Sequence, residues 1–380
     1  MRGVPLEFRN VTKVYGAPRR RAGGTNAGAV NDLSFSVPAG QICVLVGPSG
    51  CGKTTSLKMV NRLIEPTAGE ILLDGRNVLE QDPIALRRGI GYVIQQVGLM
   101  PHQTIADNVA TVPRLLGWER GRQVERVDEL LTLVGLEPGE YRERYPAQLS
   151  GGERQRVGVA RALAADPPLM LMDEPFGAVD PIVRERLQNE LLHLQEQLGR
   201  TILFVTHDID EAIKMGDVVA VMQVGGRLAQ FGAPAEILAS PASDFVARFV
   251  GADRGLKRLA LSRVRDLELQ PPLRAHVGEP AADARARLDG GDYLLLVDDD
   301  DRPLGWLAAP ELPADGPILA DGVEPAAPLL EPRTTLKDAL SMLLSADVMT
   351  GIVVDDRRRV LGLLTVDEIA AALRPTSRDA

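Results

Sequence analysis

The sequence predicts an α/β domain with a mainly parallel sheet, followed by a smaller α+β module present in two copies. Strand and helix patterns alternate over roughly the first 250 residues, and a repeated hairpin pattern follows them. A chain of 380 residues with 45% hydrophobic and 25% charged content is long enough for two or three domains, each with its own core.

Composition excludes several classes of protein. The formal net charge of -9 argues against a general nucleic-acid binder, so we expect no nucleic-acid partner. Two cysteines, Cys43 and Cys51, cannot form a disulfide framework, which favours a reducing cytoplasmic setting. No apolar run reaches the roughly 18 residues that a membrane-spanning helix needs. If the protein works at a membrane, we expect another chain to cross it.

Short apolar runs predict the strands, and amphipathic stretches predict the helices. The predicted strands cover residues 6–8, 33–37, 42–46, 91–94, 169–172, 202–205 and 218–223. The predicted helices cover residues 55–63, 123–134, 155–165 and 181–198. The first two strands are expected in an edge sheet, and the alternation of the others with helices indicates parallel pairing.

The segment between the strand at 42–46 and the helix at 55–63 has the pattern of a phosphate-binding loop. The cofactor-binding candidates here are Gly47, Pro48, Ser49, Gly50, Cys51, Gly52, Lys53, Thr54 and Thr55. Glycines let backbone N–H groups surround an anion, and the helix N-terminus adds positive potential. We expect Lys53 to neutralise the β- and γ-phosphates of a nucleotide and the Thr54 hydroxyl to bind Mg²⁺. Cys51 occupies a variable position of the pattern, and we expect its small side chain to fill space rather than to act as a reactive thiol.

Two adjacent carboxylates end the strand at 169–172. We expect Asp173 to hold Mg²⁺ and Glu174 to act as the general base that polarises the attacking water. A buried strand that ends in two acids is common in proteins. The prediction therefore depends on the pairing of these acids with the phosphate-binding loop.

A second anion-binding pattern, Ser150-Gly151-Gly152-Glu153, precedes the helix predicted at 155–165. One chain thus carries two helix starts suited to phosphate, and a single nucleotide cannot easily reach both if they lie on different faces. The simplest solution is a head-to-tail dimer. Each ATP then lies between the loop of one copy and the Ser-Gly-Gly segment of the other.

With these motifs, residues 4–245 resemble the ATP-binding subunits of ABC transporters. The resemblance implies a P-loop NTPase fold with a helical subdomain, ATP and Mg²⁺ as ligands, and ATP hydrolysis. It also implies that Tyr15 stacks on adenine and that His207 contacts the γ-phosphate and orients Glu174. Gln95 matches the glutamine that senses the γ-phosphate and the metal, with Gln96 as the alternative.

The resemblance extends to a branch of the family. Residues 91–118 resemble the importers of osmoprotectants such as glycine betaine, choline, carnitine and proline. This implies a second ATP-binding subunit in a homodimer, transmembrane permease subunits, a substrate-binding protein, and a peripheral position on the cytoplasmic face of the inner membrane. Two alternatives stay open: the same ATPase serving another polar solute (an amino acid, a polyamine or a sulfonate), and a nucleotide-sensing adaptor without turnover.

The C-terminal part contains an internal repeat. Residues 296–307 match residues 353–364 at a constant offset of 57, and each copy has the pattern strand, acidic turn, strand and helix start. The doubled module resembles a tandem CBS pair. We therefore predict an ABC domain at 1–245, a linker at 246–257, and CBS domains at 258–314 and 315–375.

The CBS resemblance implies regulation by ionic strength or by an adenine-containing nucleotide such as cyclic di-AMP. Asp367 falls where CBS modules often place a ribose-binding carboxylate, but the first copy has Pro310 there. At most one nucleotide site is expected, and a role in dimer contact alone is the other interpretation. Residues 251–380 carry a net charge of -7, so we expect their contacts to be sensitive to salt.

Overall fold

A computed structural model describes residues 3–15, 28–94, 98–177, 179–288, 292–320, 323–346 and 348–373. The chain divides into two compact units, Met1–Gly251 and Ala252–Ala380. The finer boundaries expected from the sequence at residues 245, 257 and 314 stay predictions.

The first unit contains ten strands and eleven α-helices among the described residues. The strands are β1 (Leu6–Lys13), β2 (Val30–Val37), β3 (Ile42–Val46), β4 (Ala68–Leu73), β5 (Arg76–Asn77), β6 (Ile90–Val93), β7 (Leu169–Asp173), β8 (Thr201–Thr206), β9 (Val218–Gln223) and β10 (Arg227–Gly232). The helices are α1 (Lys53–Val60), α2 (Pro83–Arg88), α3 (Ile105–Val109), α4 (Thr111–Leu115), α5 (Arg120–Leu133), α6 (Pro138–Tyr141), α7 (Gly151–Leu163), α8 (Pro181–Leu198), α9 (Ile209–Met215), α10 (Pro234–Ala239) and α11 (Asp244–Val250).

The central sheet has the strand order β10-β9-β3-β8-β7-β6 over the described residues. All pairs are parallel except β10 with β9, which confirms the predicted mainly parallel sheet. Strands β3, β7 and β8 are buried along their whole length, as continuous apolar runs in a sheet covered on both faces require.

A second sheet, of order β2-β1-β4-β5, is antiparallel and includes the two predicted edge strands. Phe8 of β1 stacks on Phe35 of β2 with ring centroids 4.6 Å apart. The sequence did not predict β4, β5 and β10. Their residues are largely exposed or half-buried, so they lack the apolar run that marks a buried strand.

Side chains of β3 alternate between two cores. Ile42, Val44 and Val46 face the core shared with helices α5, α7 and α8, whereas Cys43 and Leu45 face the core shared with the antiparallel sheet and α1. Both cysteines are buried as free thiols in the second core. The two-sided burial holds the carboxyl end of β3 rigidly in the middle of the sheet.

The second unit contains seven strands and four α-helices in its described residues. They are α12 (Arg254–Leu259), β11 (Arg274–His276), α13 (Ala281–Leu288), β12 (Tyr293–Val297), β13 (Pro303–Ala308), β14 (Glu324–Pro325), β15 (Leu329–Leu330), α14 (Leu336–Ser345), β16 (Thr350–Val354), β17 (Val360–Thr365) and α15 (Val366–Ala372).

The predicted repeat is confirmed strand by strand. The hairpin β12–β13 recurs as β16–β17 with every boundary shifted by 57 residues, and the pairing is irregular at the same place in both. In each turn one carboxylate, Asp298 or Asp355, accepts two backbone N–H bonds, so the acidic run is a turn as predicted. The copies differ after the hairpin, because α15 follows the second and only a short 3-10 turn at Ala309–Glu311 follows the first.

Candidate nucleotide-binding site

Three neighbouring strands deliver the candidate residues to one edge of the central sheet. Strand β3 leads into the loop at 47–52, β7 ends at Asp173, and β8 leads into His207. Because these strands are parallel and adjacent in the order β3-β8-β7, their carboxyl ends meet at the same edge. The sheet order therefore brings together motifs that lie more than 100 residues apart in sequence.

Close backbone packing requires glycine at both ends of the loop. A Cβ at Gly47 would lie 2.2 Å from the carbonyl oxygen of Met222, and one at Gly52 would lie 2.2 Å from the carbonyl oxygen of Ala29. Gly52 also adopts a φ of 96°, in the left-handed region. It is the N-cap of α1 and provides no side chain to cap it, so the first N–H groups of α1 stay free of a side-chain acceptor.

Lys53 is the first residue of α1 and is only 6% exposed. Its Nζ donates to the carbonyl oxygens of Gly47 at 2.7 Å and Pro48 at 3.2 Å, so the ammonium group lies inside the loop. Burial raises the pKa of the neighbouring Cys51 thiol, and Cys51 is fully buried. The Cys51 side chain therefore packs beneath the loop, in agreement with its expected role of filling space.

Thr54 and Asp173 form a direct link between α1 and β7. The Thr54 hydroxyl donates to Asp173 Oδ1 at 2.9 Å. Burial raises the pKa of Asp173, and the hydrogen bond from Thr54 partly opposes that rise. A hydroxyl and a carboxylate side by side are oxygen ligands of the kind that Mg²⁺ prefers together with phosphate oxygens and water. No cluster of three or more His, Cys, Asp or Glu suited to a metal occurs among the described residues.

Glu174 and His207 face each other at the ends of β7 and β8. His207 Nδ1 lies 3.3 Å from Glu174 Oε2, and the His207 side chain is 60% exposed against 23% for Glu174. Glu174 has a φ of 46°, which is strained for a non-glycine residue. Its N–H donates to the carbonyl of Val205 and its carbonyl accepts from Gly177, and these bonds hold that conformation. This conformation places the largely shielded Glu174 carboxylate at the sheet edge, beside the imidazole of His207.

The Ser-Gly-Gly segment forms the N-terminus of α7. Ser150 Oγ accepts from Glu153 N at 3.3 Å, and Ser150 N donates to Glu153 Oε2 at 2.7 Å. This reciprocal capping starts the helix four residues before its predicted start at 155. The Tyr141 hydroxyl donates to Glu153 Oε1 at 2.6 Å, and with the two bonds to Ser150 it lowers the pKa of Glu153 to about 2.

The Ser150 segment borders helix α8, since a Cβ at Gly152 would lie 3.1 Å from Cγ1 of Val183. Helix α7 packs on β6, where a Cβ at Gly91 would lie 2.6 Å from the carbonyl oxygen of Ala162. Strand β6 is three positions from β3 in the sheet, which corresponds to about 14 Å of sheet width. The structure therefore gathers the loop with Asp173, Glu174 and His207, whereas the Ser150 segment lines a groove with residues of α8 that include Val183 and Arg186.

Two other predicted residues are less constrained. Tyr15 follows β1 and is 58% exposed, with Lys13 Nζ 5.3 Å from its ring centroid, so an aromatic face is available. Gln95 and its alternative Gln96 lie outside the described residues, and their roles stay predictions. Tyr141 was not predicted, since nothing in its sequence neighbourhood marks a tyrosine twelve residues before Glu153 as its partner.

No helix within the described residues is long and apolar enough to span a membrane.

Comparisons with known proteins place this geometry in a family. The sequence model described as ABC transporter matches residues 30–177, and the CBS domain model matches residues 325–375. The chain is 44% identical to the osmoprotectant import ATP-binding protein OsmV of Salmonella typhimurium, over 96% of this chain and 95% of OsmV. It is 42% identical to the glycine betaine/carnitine/choline transport ATP-binding protein OpuCA of Bacillus subtilis, over 95% and 94%.

Solved structures agree with the fold of the first unit. The dimeric structure of MJ0796, a bacterial ABC transporter cassette, is 33% identical, with a TM-score of 0.53 over 60% of this chain and 98% of that chain. A post-hydrolysis state of the same cassette bound to ADP and Pi has a TM-score of 0.52 at 32% identity, over the same shares of the two chains. The chain therefore belongs to the ABC transporter ATP-binding subunits, in the branch of osmoprotectant importers that carry C-terminal CBS domains.

Proposed function

We propose that this protein is the ATP-hydrolysing subunit of an ABC importer and that it energises uptake of a quaternary-amine osmoprotectant through partner membrane subunits. The observation that carries the proposal is the convergence of the loop at 47–52, Lys53, Asp173, Glu174 and His207 on one sheet edge. Likeness to osmoprotectant ATP-binding proteins over nearly the full chain supports the solute class.

The loop and the start of α1 would hold the triphosphate. Backbone N–H groups of the loop face the phosphates, and the Lys53 ammonium exchanges its carbonyl partners for β- and γ-phosphate oxygens. Thr54 and Asp173 would hold Mg²⁺, which neutralises phosphate charge when bound. The exposed ring of Tyr15 would stack on the adenine.

Glu174 would act as the general base on the attacking water. Its carboxylate accepts the proton as water attacks the γ-phosphorus, and the imidazole of His207 orients that carboxylate from 3.3 Å away. Gln95 remains our candidate for sensing the γ-phosphate and the metal. Because β7 and β8 are buried, the two side chains that act on water stand on a rigid base.

The second phosphate contact would come from another copy of the chain. Gly151 and Gly152 present N–H groups of the α7 N-terminus, and Ser150 presents its hydroxyl, since its own N–H is bonded to Glu153. A head-to-tail homodimer would place each ATP between the loop of one protomer and the Ser150 segment of its partner. The MJ0796 cassette, which is dimeric, supports this arrangement.

A groove beside α3 and α5 would receive a permease subunit. It encloses about 540 Å³ and is lined by backbone and side chains that include Asp107, Arg114 and Arg142. Leu115 and Leu116 at the end of α4 are exposed nearby in sequence. Such a mixed apolar and charged surface fits a short helical segment of a membrane protein that docks from outside, which would keep this chain peripheral to the membrane. A substrate-binding protein would act through that permease.

The proposal predicts ATP-dependent uptake of a quaternary amine. In proteoliposomes that contain this chain with its permease and binding protein, labelled glycine betaine should accumulate with ATP, and a hundredfold excess of unlabelled choline or carnitine should compete if the site forms cation–π contacts. An equal excess of arginine, a control cation without a quaternary amine, should not compete. No ATP-dependent accumulation of glycine betaine, or an accumulation that arginine abolishes, would show that the proposed solute class is wrong.

The CBS pair would regulate the ATPase. Whether it binds an adenine-containing nucleotide, senses ionic strength or only forms a dimer contact, its net charge of -7 makes its contacts sensitive to salt. We expect removal of residues 255–380 to flatten the dependence of transport on ionic strength between about 0.05 and 0.5 M, since screening acts over this range. A truncated importer with an unchanged salt profile would contradict this role.

A further inference from the structure

A chain of three hydrogen bonds joins a tyrosine to the serine of the second phosphate contact. The Tyr141 hydroxyl donates to Glu153 Oε1 at 2.6 Å, and Ser150 N donates to Glu153 Oε2 at 2.7 Å. Ser150 Oγ in turn accepts from Glu153 N at 3.3 Å. Both oxygens of the Glu153 carboxylate are thus engaged, one from each side.

Tyr141 is itself held in place by its surroundings. Its ring packs against the larger core of the first unit, and the Arg144 guanidinium lies 4.5 Å from the ring centroid. The following backbone is bonded to the start of α3, because the carbonyls of Arg142 and Arg144 accept from Ala106 N at 3.0 Å and Ile105 N at 2.8 Å. An ion pair of 3.1 Å between Arg142 and Asp128 ties the same segment to α5.

The fixed tyrosine matters because Ser150 is exposed at a helix start. A carboxylate with only the Ser150 bonds could rotate about its side-chain torsions, and the cap would loosen with it. The bond from Tyr141 removes that freedom, since hydrogen bonds to a charged acceptor are short and strong. The Ser150 hydroxyl and N–H are then held in one orientation before a nucleotide arrives, which lowers the ordering cost of binding.

We propose that Tyr141 is a positioning residue for the second phosphate contact: through Glu153 it orients Ser150 towards the ATP held by a partner protomer. The inference rests on the proposed head-to-tail dimer and names a residue that the motifs do not contain. It separates two steps of the cycle, because ATP binding to the loop of one chain does not involve Tyr141, whereas closure of two chains on ATP does.

The test uses full-length protein with Glu174→Gln, which should keep closed dimers from hydrolysing ATP. Adding Tyr141→Phe removes one hydroxyl and keeps the ring. We expect the dissociation constant of the ATP-bound dimer, measured by sedimentation velocity, to rise about tenfold, because the cost of ordering the loosened Ser150 cap is then added to dimer closure. Binding of a fluorescent ATP analogue to dilute single chains should change less than about twofold, since a removed contact affects only the step that uses it.

Two further variants separate positioning from packing. Tyr145→Phe removes a hydroxyl from an exposed tyrosine four residues away and should leave both constants unchanged. In a Glu153→Gln background the carboxylate that Tyr141 fixes is gone, so Tyr141→Phe should cost less than about twofold there if the two residues act as one unit. An equal cost in both backgrounds would show that Tyr141 only packs.

The outcomes distinguish the inference from the proposed function. If the chain with Tyr141 intact dimerises on ATP and Tyr141→Phe changes nothing, the inference is wrong and the dimer stands. If the intact chain does not dimerise in the presence of ATP, the head-to-tail arrangement is wrong. The inferred role of Tyr141, which depends on that arrangement, is then wrong as well.

Discussion

Glu174→Gln should lower steady-state ATP turnover by about a hundredfold or more, because removing a general base typically costs 10²–10⁴ in rate. Glutamine has nearly the shape of glutamate, but its amide accepts no proton from the attacking water. The backbone bonds that hold residue 174 at its φ of 46° are main-chain bonds and persist in the variant. ATP binding should therefore survive, and ATP-bound dimers should accumulate. Phosphate release and size-exclusion chromatography with ATP measure the two effects.

The same change at an exposed position of α8, Glu196→Gln, is the matched control and should keep the full turnover rate. The informative comparison is between the wild-type protein and Glu174→Gln. A wild-type rate no higher than that of the variant would mean that no base operates at this position. The protein would then fit a nucleotide-sensing adaptor without turnover, although the residues of the phosphate-binding pattern are present in its sequence.

Mixing two inactive variants should restore activity if the dimer is head-to-tail. Lys53→Ala removes the buried ammonium from the loop, and we expect a loss of about a hundredfold in turnover, as for removal of one member of a buried charge pair. Gly151→Asp places a negative charge where the phosphates of the partner's ATP would bind. A Cβ at Gly151 meets nothing within 4 Å, and an acid in the first turn favours a helix, so this chain should fold normally.

Each variant alone has two damaged sites, whereas their heterodimer has one site with an intact loop and an intact Ser150 segment. Random pairing of equal amounts should therefore recover about a quarter of the wild-type turnover, as expected for a two-fold dimer with two composite sites. As the control, both changes placed in one chain and mixed with an equal amount of wild type produce heterodimers without an intact site, so only the quarter contributed by wild-type homodimers should remain. A control that keeps half of the turnover, or no recovery when the changes are on separate chains, would indicate that each chain closes over its own nucleotide.

Much of the site could be derived from the sequence because its parts are local. The loop from Gly47 to Thr54 depends on glycines at fixed spacing and on a helix that begins directly after them, and consecutive residues encode both. The same holds for the acids that end β7 and for the Ser-Gly-Gly start of α7. The repeat was also readable, since a hairpin with one turn and one register leaves the same alternation in both copies.

Other features depend on which strands become neighbours. That Glu174 faces His207 at 3.3 Å follows from the adjacency of β7 and β8, which no local pattern specifies. The bond between Tyr141 and Glu153 requires that the segment after α5 fold back on α7. Strands β4, β5 and β10 were missed because largely exposed strands show little apolar alternation. They are stabilised by pairing instead, β4 with β1, β5 with β4 and β10 with β9.

The amino-acid sequence alone thus predicted the nucleotide-binding motifs, the family and the doubled module. Each of these depends on contiguous segments whose backbone conformation is determined by residues near in sequence. Three-dimensional packing established which elements meet at the sheet edge and which groups hold Glu174 and Ser150 in place. Those relations arise from the order of strands in the sheet and from burial on both of its faces, and such long-range contacts form only when the whole unit folds.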